Sequence, residues 1–156
     1  MKKVTNIIFA GLGGQGVLKA SDILAEILFT LDYDVKKSEV HGMSQRGGSV
    51  SSEIRFGAEV FSPMIPHGET DYLVVLEPTQ VEVNISKLRE GGILITPADL
   101  PLDKLSNPKA ANTMFLGALS KHLTEIPEER FIEVIKRFLP EKVHEVNIEA
   151  FKLGRG

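Results

Sequence analysis

The chain has no cysteine among its 156 residues. Without thiolates it can form neither disulfides nor cysteine-ligated metal or iron–sulfur sites of its own. No apolar run approaches the ~18 residues of a membrane span, and the residues after Met1-Lys2-Lys3 are typical of a strand rather than of a signal peptide. We therefore expect a cytoplasmic chain that does not associate with membranes.

Neither sign of charge dominates the sequence. The 18 lysines and arginines nearly balance the 21 aspartates and glutamates, which leaves a net charge of −3. This balance provides no general attraction to nucleic acid or to anionic lipid. A chain of this length can bury roughly 70% of its unfolded surface, so we expect residues 1–156 to form a single domain.

Glycine is abundant where the first apolar run ends. Residues 5 to 11 predict a strand and residues 14 to 31 predict a helix. Glycines in such a turn allow close packing, and the N–H groups that begin the helix attract an anion. A ligand-free turn explains the spacing equally well, while the glutamine favours a polar contact. The candidate binding residues of this glycine turn are Gly11, Gly13, Gly14, Gln15 and Gly16.

A second loop, rich in polar residues, follows a strand predicted over residues 35 to 40. Its charged and hydrogen-bonding side chains are bracketed by glycines, a composition typical of functional loops. Because we expect the first two strands to be neighbours, both loops should form one composite site. Its further candidate binding residues are Glu39, His41, Gly42, Met43, Ser44, Gln45, Arg46, Gly47 and Gly48.

Three of these side chains suggest specific chemistry. His41 has the chemistry of an acid or base near neutral pH, and Arg46 that of a clamp for phosphate or carboxylate. Glu39 lies where a dinucleotide-binding protein holds the ribose hydroxyls. No cysteine, carboxylate or second histidine lies at a catalytic spacing from His41, which favours a structural role for it. We therefore assign no catalytic residue with certainty, and the scattered histidines predict no metal site.

The rest of the chain continues the alternation of strands and helices. We predict a hairpin turn at 57–59, a helix that starts at Glu77-Pro78 and ends at Gly91-Gly92, and a close helix crossing at Gly117. The residues after 140 leave helix and strand open. Together these patterns predict an α/β fold, a single-domain, Rossmann-like, doubly wound and mostly parallel sheet with helices on both faces. The further predicted elements are strands at 49–56, 72–76 and 93–95 and helices at 108–122 and 127–139.

The residues of both loops resemble the gamma-type domain of 2-oxoacid:ferredoxin oxidoreductases, and most of all the beta subunit of indolepyruvate:ferredoxin oxidoreductase. Supporting matches are Glu77-Pro78, Asn112, residues 116–119 and residues 147–154, whereas residues 97–107 are short for the family. The resemblance implies a subunit that is inactive alone and binds no cofactor alone. It would complete the active site of a large partner subunit that holds thiamine diphosphate and iron–sulfur clusters.

The reaction implied by the resemblance is oxidative decarboxylation of a 2-oxoacid to acyl-CoA, with electrons passed to ferredoxin. The sequence leaves open which 2-oxoacid is used, whether the loops contact CoA, thiamine diphosphate or only the partner, and whether the chain forms a homodimer. Two alternatives remain: a free-standing dinucleotide-binding protein that uses Glu39, and a binding module for an anionic metabolite that uses Arg46.

Overall fold

The computed structural model describes residues 3–42 and 48–156, which form a five-stranded sheet beneath a layer of helices. The strands lie in the order β2-β3-β1-β4-β5. Their bounds are β1 (Thr5–Leu12), β2 (Asp34–His41), β3 (Ser49–Gly57), β4 (Thr70–Val75) and β5 (Leu88–Ile95).

The sheet is mixed. Strand β1 pairs in parallel with β4, and β4 with β5, whereas β3 runs antiparallel to both β1 and β2. The α/β class is confirmed, but half of the pairings are antiparallel, so the sheet is not mostly parallel. The expectation that the first two strands are neighbours is wrong. The connection from β2 to β3 is short, which favours an antiparallel hairpin, and β3 therefore lies between β1 and β2.

Four longer helices cover one face of the sheet. They pack on alternate strand residues such as Phe9, Ile54 and Val74, while neighbours such as Ile8 and Leu73 belong to a smaller cluster on the second face. The helices of the first layer are α1 (Val17–Thr30), α3 (Ala111–Ser120), α4 (Glu128–Phe138) and α5 (His144–Arg155).

The second face is thinly covered in the described part of the chain. It carries the single-turn helix α2 (Val81–Asn84), 3₁₀ turns on either side of α2, and residues from the connection between β3 and β4. Helices thus lie on both faces as predicted, but very unequally. We call this second side the sparsely covered face, because no described helix longer than one turn packs on it. The 3₁₀ turns within the described residues are Pro78–Gln80, Ile85–Lys87, Pro97–Asp99, Leu102–Lys104, Pro108–Ala110 and Glu141–Val143.

Several predicted elements differ from those observed. The helix expected from Glu77-Pro78 to Gly91 is one turn long, because α2 ends at Asn84 and β5 begins at Leu88. The two glycines lie inside β5, where the pairing register with β4 shifts, as at a β-bulge. The residues after the expected hairpin turn form no strand. Instead, the Val60 N–H donates to Asp34 Oδ2 at 2.8 Å.

The predicted close crossing at Gly117 is confirmed. A Cβ at this position would lie 2.1 Å from the Phe151 carbonyl oxygen of α5, and one at Gly154 would lie 2.0 Å from the Met114 carbonyl oxygen of α3. The backbones of the two helices therefore touch. The tail left open by the sequence is thus helix α5, which completes the core. None of the helices in residues 3–42 and 48–156 is both long and apolar enough to cross a membrane.

Candidate functional site

The two loops meet at one edge of the sheet. Strands β1, β2, β4 and β5 all end there, and β3 begins there. The Gly13 N–H donates to the Gly48 carbonyl oxygen at 2.9 Å, and the Gly42 N–H donates to the Ser49 carbonyl oxygen at 2.6 Å. The expected contact between the loops is thus present, although β3 rather than direct pairing of β1 with β2 produces it.

Part of the second loop is outside the described residues. The candidates that fall there are Met43, Ser44, Gln45, Arg46 and Gly47, so their roles stay predictions from the sequence. The described ends of the loop, Gly42 and Gly48, fix where it leaves β2 and where it enters β3. It therefore ends directly beside the glycine turn, at Gly48, and begins on the far side of β3 from that turn, at Gly42.

Gly16 makes room for a neighbouring helix. It precedes the first residue of α1 with a φ of +81°, in the left-handed region that glycine adopts without strain. A Cβ here would lie 2.4 Å from Asn112 Nδ2, and that amide nitrogen donates to the Gly16 carbonyl oxygen at 3.2 Å. The close packing expected at the glycines of this turn is therefore made, at Gly16, by a side chain of α3.

Gln15 is bonded within the protein at both ends of its amide. Its Oε1 accepts from the Leu12 N–H at 2.7 Å, and its Nε2 donates to Glu77 Oε1 at 2.9 Å. Glu77 follows β4, the parallel neighbour of β1. The expected polar contact of Gln15 thus exists, and it joins the glycine turn to the end of β4.

Glu39 belongs to a small ion-pair cluster. Lys37 Nζ lies 2.6 Å from Asp22 Oδ1 of α1 and also bonds Glu39 Oε2. Burial alone would lower the pKa of Lys37, but its hydrogen bonds to Asp22 and Glu39 outweigh this effect and raise the pKa above its ordinary value. The described contacts of Glu39 are thus with side chains of its own strand, and the pair of Lys37 with Asp22 ties β2 to α1.

His41 is open to solvent at the end of β2. Its side chain is 59% exposed, and its Nε2 lies 4.0 Å from Glu39 Oε1. Among the described residues, we find no nucleophile or buried carboxylate hydrogen-bonded to it. This surrounding offers no catalytic arrangement around His41 within the described residues, and a role for it in binding stays a prediction.

Two crevices flank the glycine turn. The first, about 310 Å³, is lined by Gly13, Lys19, His41 and Ser49, and we call it the His41 crevice. The second, about 540 Å³, lies between the turn and α3, and we call it the Asn112 crevice. Its lining combines apolar carbon with one ammonium group and two amides. The residues are Gly14, Gln15, Gly16, Leu76, Pro108, Lys109, Ala111, Asn112 and Phe115.

The lining residues from α3 and the turn before it are absent from the site predicted from the sequence. Lys109, Asn112 and Phe115 lie about a hundred residues after the glycine turn, in a pattern that reads as an ordinary helix. Apart from the family matches at Asn112 and Glu77, one positional signal points to this region: a helix that follows a parallel strand begins at the carboxyl edge of the sheet, where ligands bind in α/β folds. Glu77 at the end of β4 is found by the same reasoning.

The geometry argues against the usual dinucleotide-binding arrangement. That arrangement needs the acidic residue of the second strand beside the first strand, but β3 separates β2 from β1. Two strand spacings, roughly 9–10 Å, thus lie between them. Within residues 3–42 and 48–156 there is also no cluster of three or more acidic or histidine side chains that could hold a metal ion.

Known proteins share both the sequence and the fold. The chain is 32% identical to the indolepyruvate oxidoreductase subunit IorB of Thermococcus kodakarensis, over 97% of this chain and 95% of that protein. That alignment spans 191 positions, more than the 156 residues here, so the relative has residues that this chain lacks. That region 97–107 is the shortened one stays a prediction from the sequence.

Two solved structures have the same fold. One is the gamma subunit of a keto/oxoacid ferredoxin oxidoreductase from Geobacter sulfurreducens, with a TM-score of 0.79 and 26% identity over 96% of this chain and 95% of that one. The other is a 2-oxoglutarate:ferredoxin oxidoreductase from Magnetococcus marinus, with 2-oxoglutarate, coenzyme A and succinyl-CoA bound. It has a TM-score of 0.83 and 22% identity, and the match covers 99% of this chain but 31% of that one.

The similarity to the Magnetococcus marinus enzyme shows the fold alone. There the matching part is one section of a chain about three times longer than this one. The family comparison covers nearly the whole chain, because residues 6–156 match the family described as pyruvate ferredoxin/flavodoxin oxidoreductase. From this match and the similarity to IorB we conclude that the chain belongs to the pyruvate ferredoxin/flavodoxin oxidoreductase family.

Proposed function

We propose that this chain is the small, gamma-type subunit of an oxidoreductase that acts on indolepyruvate or a related aryl pyruvate. The observation that carries the proposal is the similarity to an indolepyruvate oxidoreductase subunit over 97% of the chain. The lack of cysteine agrees with it, because iron–sulfur clusters must then be ligated elsewhere. A larger subunit with thiamine diphosphate and such clusters would supply the decarboxylation and electron transfer to ferredoxin.

The proposal treats residues 1–156 as one gamma-type domain. Its location in the cytoplasm and its assembly as a homodimer remain predictions from the sequence. Purification of the tagged chain from its native cells without oxygen tests the main point. We expect a large partner, iron, thiamine diphosphate and dye reduction that depends on indolepyruvate more than on pyruvate or 2-oxoglutarate. A chain that elutes alone with a bound nucleotide would contradict the proposal.

Exposed apolar side chains on the sparsely covered face support the presence of a partner. Phe61 is 87% exposed and Met64 is 72% exposed, and both lie in the segment that crosses this face. Val83 and Ile85, on α2 and the turn after it, are also exposed, as is Val40 of β2 beside the second loop. Large apolar side chains gathered on one face mark interaction sites. We infer that the larger subunit covers this face, because the similar proteins are subunits of larger enzymes.

A matched pair of substitutions tests that surface. Phe61→Ser should weaken binding of the purified chain to the larger subunit by at least about tenfold, since exposed aromatic anchors dominate interfaces. Phe29→Ser is the control, because Phe29 is 69% exposed but belongs to α1 on the opposite side of the sheet. Equal affinity of the wild-type and Phe61→Ser chains would show that another surface is used.

The Asn112 crevice is where we propose that the chain contacts CoA. Its apolar wall suits the acyl-carrying arm, and Lys109 supplies a cation for a phosphate. In the assembled enzyme, Lys109→Ala should raise the KM for CoA about two- to fivefold, the effect of one solvent-exposed charge. Lys104→Ala, which removes a cation outside the crevice lining, is the control. Identical KM values for CoA in the two variants would show that CoA does not contact this crevice.

A further inference from the structure

The hydrogen bonds of Gln15 continue the pairing of β1 with β4 beyond its last backbone bond. That last bond runs from the Leu76 N–H to the Ala10 carbonyl oxygen at 2.8 Å. Beyond this bond, Gln15 Oε1 accepts a hydrogen bond from the Leu12 N–H, and Gln15 Nε2 donates one to Glu77. A side chain thus closes the gap between two chain segments that diverge. We call this contact the Gln15–Glu77 bridge.

Gly11 is what gives Gln15 access to this position. A Cβ on Gly11 would lie 2.7 Å from Gln15 Oε1, so any side chain there would displace the amide. The Gln15 backbone N–H also donates to the Leu12 carbonyl oxygen at 3.2 Å. One backbone and one side-chain hydrogen bond therefore close the turn between Leu12 and Gln15. Gln15 Oε1 thus already has a hydrogen-bond partner within the chain.

Glu77 is suited to hold the other end of the bridge. Its Oε1 accepts from Gln15, and its Oε2 accepts from the Thr79 hydroxyl at 3.3 Å. Hydrogen bonds to an ionised carboxylate are stronger than those between neutral groups. The bridge thereby fixes Gly14, Gln15 and Gly16, which form one wall of the Asn112 crevice.

We propose that Gln15 and Glu77 are positioning residues of the assembled enzyme: their bridge sets the conformation of the glycine turn that the larger subunit and its substrates meet. The inference rests on the proposed function. It changes the role of Gln15 from a ligand contact to a residue that acts through the backbone of its own turn. Glu77 is then a part of the site although it lines neither crevice.

A reciprocal exchange tests the bridge. Gln15→Glu places a second carboxylate against Glu77, and we expect kcat/KM of the assembled enzyme at pH 8 to fall at least about tenfold. The loss should become smaller as the pH falls, because two adjacent carboxylates share one proton. Gln15→Glu combined with Glu77→Gln should restore most of the activity at pH 8. The amide introduced at position 77 then donates to the carboxylate introduced at position 15.

Two further variants keep the test decisive. Glu77→Gln alone should cost less than Gln15→Glu, since an amide oxygen still accepts from Gln15. Gln15→Ala should lower the activity by the same factor at every pH, which separates the charge effect from a general loss of structure. Glu129→Gln, at an exposed carboxylate on α4 on the opposite side of the sheet from the sparsely covered face, is the control and should leave the activity unchanged. Wild-type activity of Gln15→Glu at pH 8, or no rescue in the double variant, would overturn the proposal.

Hydrogen exchange on the isolated chain separates this inference from the proposed function. The Leu12 amide should exchange faster in Gln15→Ala than in the wild type whether or not a larger subunit is found, because its acceptor is removed. If the chain proves to have another function, this measurement still reports the bridge. Unchanged exchange at Leu12 would show that the bridge does not hold the turn.

Discussion

Glycine is used in two opposite ways at the α3–α5 crossing and at the glycine turn. At the crossing, Gly117 and Gly154 let two helix backbones touch, and the space is filled by main-chain atoms. At the turn, Gly11 and Gly16 make room for polar side chains, the amides of Gln15 and Asn112. At the crossing both glycines are buried. At the turn the two amides are hydrogen-bonded within the chain, but the turn borders a crevice on either side.

This difference separates stability from function. Close backbone contact in a helical layer contributes packing that no other residue type permits, so a change there should act on the free energy of unfolding. Amides held in a turn fix the geometry of an exposed edge, so a change there should act on both stability and the site. Substitutions in each region test whether the two uses of glycine are really distinct.

The largest effect is expected at the crossing. Gly117→Ala places a methyl group 2.1 Å from the Phe151 carbonyl oxygen, an atom fixed in a helix. The helices must move apart, at a cost of about 5 kcal/mol, more than overpacking usually costs because the contacted atom belongs to a helix backbone. The gain in helix propensity of about 1 kcal/mol reduces this to a net loss of about 4 kcal/mol. Denaturant unfolding measures the difference.

Lys152→Ala is the control for this substitution, because it lies on α5 but is exposed. It should change the free energy of unfolding by less than about 0.5 kcal/mol. If Gly117→Ala unfolds at the wild-type denaturant concentration, then the crossing tolerates a side chain and its tight packing contributes little.

A smaller effect on stability is expected at the turn. Gly16→Ala should cost about 2–3 kcal/mol, because a left-handed residue with a Cβ is strained and the methyl group meets the Asn112 amide. Asn112→Ala removes the amide that the methyl group meets. Measured against the Asn112→Ala chain, Gly16→Ala should therefore cost only about 1–2 kcal/mol, the part that comes from the strained backbone. Thermal or denaturant unfolding of the two single variants and the double variant resolves these contributions. Strictly additive losses would show that Gly16 and Asn112 are not coupled.

The contrast also marks what the sequence predicts and what it does not. Helices such as α1 and α4, and the crossing at Gly117, follow from local periodicity and composition. The place of β3 does not, because alternation specifies a buried face but not a pairing partner. Nor does α2, since a four-residue helix depends on its tertiary contacts rather than on propensity.

At the site the limit is sequence distance. A polar role for Gln15 is visible in the sequence, but its partner Glu77 lies 62 residues away. Asn112 is 96 residues from Gly16 and sits in a helix whose pattern looks purely structural. Residues brought together by crossing the sheet share no local signal. The glycines and Gln15 could therefore be predicted as a site, while the places of Glu77 and Asn112 beside them could not.

The smallest effect concerns a histidine at the end of α3, in the packed region. The pKa of the His122 imidazole lies below its usual value because burial disfavours its charged form, and the positive charge of Lys121 lowers it further. The unfolded chain thus takes up this proton at higher pH than the folded chain. The contribution of His122 to the free energy of unfolding is therefore fully present above the unfolded-state pKa of about 6.5, and it decreases as the pH falls through that value.

His122→Gln should therefore lose less stability than the wild type between pH 8 and pH 5. The measurement is the difference in free energy of unfolding at the two pH values for each protein, so that groups common to both cancel. Lys121→Ala should give an intermediate result, because it removes the second cause of the low pKa but leaves the burial. If all three proteins lose the same stability, then the folded chain accommodates the protonated ring as well as water does, and the end of α3 is less tightly packed than its contact with Tyr72 indicates.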